Sequence, residues 1–476
     1  MDCLPSPDPS EKQYSIMARV LILSLVFRPD NVSTAQLMAD LAGDLQARGH
    51  SVTVLTTVPH YNPDPEAADQ QPLSPCWWGI LQQSSYRGME VFHAWMPRKG
   101  QNKLYRLLTW VSFHLISTLA GLWKVQRPDV ILSPSPPLTI GLSAWVLAAY
   151  HHSRFIYNLQ EMYPDVAINL GVVRNRSLIH WLYGLERFVY RKAAAVTAIS
   201  ERMRVHLIQK GVPEAKVLLI PNFVDVHDFR PLPKDNEFSR KYGLQSEFVV
   251  SYAGNMGKPQ HLETLLHTAA LLADRKHLRF VIMGDGSERE DLEQLARQLR
   301  LHNLTFLPYQ PYSLMPLAYA AADASYVPQA IGTSNDGVPS KVYRIMASGR
   351  PVLACTDADS DLADLVLKAE AGAAVTTAAP AELAKTIEAA LANESAWLRL
   401  GSNGRAYVLE HYDRMVVVGQ YHELINKLAA APLVPGAGKA SMRSQACPNG
   451  KVIRGSCGAM AGAQPPRVRE EEERSR

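Results

Sequence analysis

The chain has 476 residues, 47% of them apolar and 20% charged. That length spans two or three domains, and the apolar fraction excludes both a disordered chain and a polytopic membrane protein. The net charge of +4 is unevenly spread: −2 over residues 1–17, +6 over 18–215, −4 over 216–431 and +4 over 432–476. Five scattered cysteines, odd in number and without metal-type pairing, suit a reducing compartment rather than a disulfide framework.

Residues 1–17 lack the apolar region of a signal peptide and are expected to be a disordered leader. From Arg19 to Val26 an apolar run marks a strand buried on both faces. Leu37, Met38, Leu41 and Leu45 then repeat at helical spacing, Gly49 ends the helix, and Ser51 to Thr57 is a second strand. A strand–helix–strand unit is the crossover that parallel strands require. Further strands are expected at 129–133, 155–158 and 195–199. The apolar helix from Pro137 to Tyr150 reads as core, His114 as packed, and His151-His152 as a solvated helix end.

A proline-punctuated connector from Val217 to Pro233 follows, and the alternation restarts with strands at 248–253, 279–283, 304–307, 324–327 and 351–354. The expected fold class is therefore α/β, with two doubly wound Rossmann-like domains, 18–215 and 216–405, facing a central cleft. Residues 406–431 are expected to form a helix that packs back on the first domain. Residues 432–476, rich in Gly, Ala, Ser, Pro and Arg, are expected to be a disordered tail. The cleft between two such domains is the default ligand site.

Three glycine-rich turns stand between a strand and a helix in the second domain. In Ala253-Gly-Asn-Met-Gly-Lys258, Gly254 and Gly257 let backbone N–H groups approach a phosphate, and Lys258 adds a charge. A plain turn has the same sequence. In Ile282-Met-Gly-Asp-Gly-Ser-Glu-Arg289, Gly284 and Gly286 leave bare backbone for a base or ribose, or make a tight turn with Ser287 as cap. In Asn335-Asp-Gly-Val-Pro-Ser-Lys341, the run Gly337, Val338, Pro339, Ser340 marks a helix start with Lys341 beside it. Three such turns in one domain, two with a lysine, favour a diphosphate-bearing ligand over coincidence.

The second half resembles the retaining family-four glycosyltransferases of GT-B fold. The resemblance rests on Ile220-Pro-Asn-Phe-Val-Asp225, Gly254-Asn-Met-Gly257, Gly284-Asp-Gly286, Phe306-Leu-Pro-Tyr309 and Val338-Pro-Ser-Lys341 with Met346-Ala-Ser-Gly-Arg-Pro-Val352. The first half agrees through Phe27-Arg-Pro-Asp30 and Arg48-Gly-His-Ser-Val-Thr-Val54, and Tyr157-Asn-Leu-Gln-Glu-Met-Tyr-Pro-Asp165 is similar to a subgroup of colanic-acid and O-antigen transferases. The family's paired glutamates fall here on Asp336 and Arg344, its glycine-loop Arg and Lys on Asn255 and Gln260, and a frequent His on Gln160.

The resemblance implies transfer of a hexose-type sugar with retention, from a nucleotide-sugar substrate and with no required metal or other cofactor. Lys341 and Lys258 are expected to meet the charge of the leaving diphosphate, Asp336 to hold sugar hydroxyls, and Glu161 to contact donor or acceptor. Gly254, Asn255, Gly257, Gly284, Gly286, Gly337, Val338, Pro339 and Ser340 are the expected donor-binding positions. The same fold also serves nucleotide-sugar epimerases and non-catalytic scaffolds, the latter suggested here by Arg344.

Residues 98–127 hold Arg98, Lys99, Lys103, Arg106, Lys124 and Arg127 and no acid. Between these cations lies an apolar run from Leu107 to Trp123, too short for a comfortable span but bordered by Trp110 and Trp123. This pattern predicts peripheral attachment to an anionic membrane, on the cytoplasmic face, and fits a lipid-linked saccharide acceptor. Nucleic acid is not an expected partner, because the cations surround apolar rather than stacking or groove-reading residues.

Overall fold

The computed structural model describes residues 17–60, 64–97, 103–169, 171–330 and 337–432, with the side chains of 65, 103–108 and 259 outside that description. The expectations for residues 1–16, for the tail beyond 432 and for Asp336 lie outside the described residues.

The first sheet holds β1 (Arg19–Leu23), β2 (Ser51–Thr57), β3 (Ser74–Cys76), β4 (Leu81–Tyr86), β5 (Met89–Ala94), β6 (Val130–Pro134), β7 (Arg154–Leu159), β8 (Ala195–Ala198) and β9 (Val217–Leu219). Their order is β3-β4-β5-β2-β1-β6-β7-β8-β9. Strand β4 runs against its neighbours, and the remaining pairs are parallel. The central strands are apolar runs because helices cover both faces. Helices Lys103–Trp123, Ile140–His151, Arg176–Lys192 and Glu201–Gln209 pack on one face through Phe113, Leu147, Val189 and Met203. Helices Ser33–Ala47 and Arg414–Ala430 pack on the other through Leu41, Leu45, Val418 and Tyr421.

The second sheet holds β10 (Phe248–Asn255), β11 (Leu278–Asp285), β12 (Leu304–Leu307), β13 (Ala324–Pro328), β14 (Val352–Cys355) and β15 (Gly372–Val375), in the order β12-β11-β10-β13-β14-β15 and parallel throughout. Chain order reverses between β1 and β6 in one sheet and between β10 and β13 in the other. At such switch points the loops diverge to opposite faces and leave a crevice at the strand carboxyl ends.

Several elements differ from expectation. Strands β3, β4, β5 and β15 were not foreseen, and Val217–Leu219, expected as connector, is an edge strand paired with β8. His151 is buried, and its Nε2 donates to the Gly121 carbonyl at 2.9 Å, so it ties two helices together rather than facing solvent. His152 is the exposed member, holding the left-handed C-cap of its helix.

The chain crosses between the two sheets twice, and the crossings are bonded to each other. Val224 N donates to the Tyr412 carbonyl at 3.0 Å, and Arg414 N donates to the Val224 carbonyl at 3.0 Å. A buried polar chain locks this seam to the first sheet. Asn222 Nδ2 donates to Gln160 Oε1, Gln160 Nε2 to Asn158 Oδ1, and Asn158 Nδ2 to both Thr197 Oγ1 and Tyr421 Oη.

Candidate active site

A cavity of about 840 Å³ lies between the two sheets. From the first sheet it takes Ser24, Leu25 and Val26 after β1, Pro136 after β6 and Glu161 after β7; from the second, Ala253, Gly254 and Asn255 at the end of β10. Both switch points therefore open into one cleft. Ser33 and Ser340 meet across it, with their hydroxyls 2.8 Å apart.

Lys341 opens helix Lys341–Ala347 and turns its side chain into this cleft, half-buried, with Nζ 4.2 Å from the centre of the Tyr252 ring. Among the described residues no carboxylate pairs with it, and burial alone lowers its pKa to about 7. The approach depends on Gly254, whose φ is +149° and where a Cβ would sit 2.8 Å from Lys341 Nζ. Gly284 backs that position: a Cβ there would lie 1.8 Å from the Gly254 carbonyl oxygen. The two glycine turns are also tied by Met256 N donating to the Asp285 carbonyl at 2.8 Å and Glu288 N to the Met256 carbonyl at 2.9 Å.

Arg344 follows Lys341 by one helical turn and lines the same cavity. Its guanidinium lies over Phe229 and Tyr312, 5.4 Å and 5.3 Å from the ring centres. The substitution that looked like a charge reversal thus supplies a second cation to the cleft, held by stacking. Glu161 faces the cleft from the first domain, and burial raises its carboxyl pKa.

The expected site residues divide into three groups. Lys341, Glu161, Gly254, Asn255 and Ser340 line the cleft. Gly284 and Gly286 stand behind it and shape the turns, Gly257 precedes the turn Lys258–Gln260 without lining the cavity, Gly337, with φ +81°, packs on Ile199 and Met203, and Val338 belongs to the core. Pro339 precedes the helix without lining the cavity. Lys258 is a correction. It is exposed and does not line the cleft, because the turn Lys258–Gln260 points it outward and Gln260 inward. The aromatic wall of Tyr309, Tyr312 and Tyr319, together with Gln36 and Trp110, also lines the cleft, and no motif in the sequence marks these residues as part of it. Among the described residues no cluster of His, Cys, Asp or Glu is placed to hold a metal ion.

Two family models match in succession: the glycosyl transferase 4-like domain over residues 34–222 and the glycosyl transferases group 1 over 234–407. The first covers the first sheet from β2 to β9, the second covers the whole second sheet, and the cleft just described lies between them. The chain belongs to the family-four glycosyltransferases of GT-B fold. This transferase is 25% identical over 355 residues to the putative colanic acid biosynthesis glycosyl transferase WcaI of Escherichia coli, covering 73% of this chain and 85% of the relative. It is 22% identical over 420 residues to the probable glycosyltransferase WbjE of Pseudomonas aeruginosa, covering 87% and 98%. The crystal structure of Anabaena HepE in complex with UDP superposes with a TM-score of 0.65 at 16% identity, covering 86% of this chain and 100% of that one. That likeness extends the agreement to the arrangement of both sheets.

Proposed function

We propose that this glycosyltransferase takes a sugar from a nucleoside-diphosphate donor seated between the Gly254 turn and Lys341. It passes the sugar, with retention, to a lipid-linked glycan of exopolysaccharide or O-antigen type. The observation that carries the reading is Lys341, a half-buried ammonium that no carboxylate among the described residues pairs with, pressed against a glycine where two parallel-sheet switch points open into one cleft. An unpaired cation in such a place is costly unless an anion arrives to meet it.

The bond from the sugar's anomeric carbon to the diphosphate oxygen breaks and one from that carbon to the acceptor hydroxyl oxygen forms. The hydroxyl proton passes to the departing diphosphate, so no protein nucleophile is required. Charge grows on the leaving phosphate as this bond lengthens, and fixed donors and cations there lower the barrier. Lys341 and Arg344 supply the cations, and turnover is expected to survive EDTA. Glu161, raised in pKa by burial, contacts the acceptor side of the sugar. The enzyme works at the cytoplasmic face of a membrane as a peripheral protein. None of the described helices is long and apolar enough to cross one.

The test is a panel of radiolabelled nucleotide sugars incubated with purified protein and extracted lipid-linked saccharides. One donor is expected to give label in the organic phase with stoichiometric nucleoside diphosphate. A panel in which no donor releases its nucleoside diphosphate overturns the reading.

A further inference from the structure

Helices Lys103–Trp123, Ile140–His151 and Arg176–Lys192 lie side by side on one face of the first sheet. His151 bonds the first two, and Trp145 against Phe188, edge-on with ring centres 4.9 Å apart, joins the second to the third. Their outer surface is unusual for a helical layer facing water, which should be polar. On the first helix Val111, Leu115, Leu119 and Trp123 recur every four residues, each between 36% and 64% exposed. At one end this stripe meets Trp77, whose ring is edge-on to Trp123 with centres 5.4 Å apart, and Trp78, which is 91% exposed. Both Trp77 and Trp78 sit at positive φ, 46° and 57°, an unfavourable conformation for bulky residues that turns the second indole outward. Tyr150 and Trp181 continue the exposed aromatic surface over the other two helices, so Ile140–His151 is not the purely internal helix its sequence suggested.

Charge on this layer has one sign. The three helices contain six lysines and arginines, and their single acid, Glu186, is 2% exposed and paired with Lys210 at 2.6 Å. Arg187 and Arg191 are exposed on the third helix, and Lys124 and Arg127 follow Trp123. Arg191 and Lys192 extend over the rings of Phe188 and Trp145, with their charged ends about 6 Å from the ring centres, as side chains do that cover an apolar surface and present a cation at its border.

We infer that these three helices, with the Trp77–Trp78 turn, form one broad surface by which the protein lies on a bilayer carrying anionic headgroups. Exposed indoles flanked by cations, with no exposed carboxylate, match the interfacial zone of such a bilayer. The first helix also places Thr109 and Trp110 in the cleft wall, so the surface adjoins the route by which a lipid-borne acceptor reaches the sugar. The inference rests on the lipid-linked acceptor proposed above and extends the contact well beyond residues 98–127.

The test is sedimentation of the full chain with vesicles of phosphatidylglycerol and phosphatidylcholine, against phosphatidylcholine alone, at low salt. Wild type is expected to bind the acidic vesicles. Arg187→Gln with Arg191→Gln, both outside 98–127, is expected to weaken binding about 30-fold, at roughly 1 kcal/mol per charge. Trp78→Ser with Trp181→Ser is expected to weaken it too, while each double variant melts as wild type does. Loss of binding in Leu115→Ser with Leu119→Ser, and no change in the other two, would overturn the three-helix surface. Absence of vesicle binding, or self-association through the same residues, would overturn it as well. Donor hydrolysis is read in the same samples: hydrolysis without vesicle binding removes this inference alone, whereas no hydrolysis with any donor removes the enzymatic reading beneath it.

Discussion

Lys341 is charged below a pH of about 7 and neutral above it, because burial opposes its charge. A diphosphate favours the ammonium, so binding above that pH takes up a proton. The donor kcat/KM is therefore expected to fall about tenfold per pH unit above about 7, and Lys341→Arg is expected to flatten that limb; pH–rate profiles of both proteins check it. Lys341→Ala is expected to lower kcat by about 10²–10³-fold, the effect of removing one preorganised donor to a developing oxyanion. Gly284→Ala drives a methyl into the Gly254 carbonyl and is expected to lower the urea midpoint and weaken donor binding together. At this scale the sequence singled out Gly254, Asn255, Glu161 and Lys341, and all four line the cleft. It misled for Lys258, whose neighbour in sequence is not its neighbour in orientation. Arg344 was noticed only as a departure, since stacking on Phe229 and Tyr312 joins residues far apart in the chain.

Helices Asp165–Asn169, Arg176–Lys192 and Glu201–Gln209 are joined by a polar cluster that no spacing rule announces. Lys210, just past the last of them, lies 2.7 Å from Asp165 and 2.6 Å from the almost fully buried Glu186. Burial alone would raise the Asp165 carboxyl, but hydrogen bonds from His206, Lys210 and Tyr183 outweigh it and hold the group down to about 2. A folded pKa below the unfolded value near 3.9 stabilises the fold above that value and loses its contribution as pH falls towards 2, so acid unfolding is expected to steepen there. Lys210→Met leaves Glu186 buried with the Tyr190 hydroxyl but without its cation, and is expected to cost about 3–5 kcal/mol in urea denaturation. The buried parallel strands were legible because both of their faces are apolar. β4, Leu-Gln-Gln-Ser-Ser-Tyr, and β15, Gly-Ala-Ala-Val, lack that pattern: one is a largely polar strand near the sheet edge and the other is built of small residues.

At the scale of both sheets, the described chain is joined by a double crossing, and Arg414 holds that crossing against the first domain. Its guanidinium meets Asp40 at 3.3 Å, Asp44 at 2.5 Å and Asp225 at 3.2 Å. Arg414→Met strands three carboxylates and is expected to cost about 1–3 kcal/mol, discounted for their partial exposure, and to raise the donor KM by loosening the cleft; urea melts and donor kinetics check it. The two-domain plan was legible from the repeated alternation of strand and helix, whereas the Ser33–Ser340 contact and this clamp exist only once the domains are assembled. The proposed function depends on a diphosphate at Lys341. Calorimetric titration of UDP, GDP, ADP, CDP and dTDP into wild type and Lys341→Ala at pH 6.5 tests that most directly. One nucleoside diphosphate is expected to bind wild type at a single site and the variant at least tenfold more weakly. Equal affinity for both proteins, or no binding of any of the five, would contradict it.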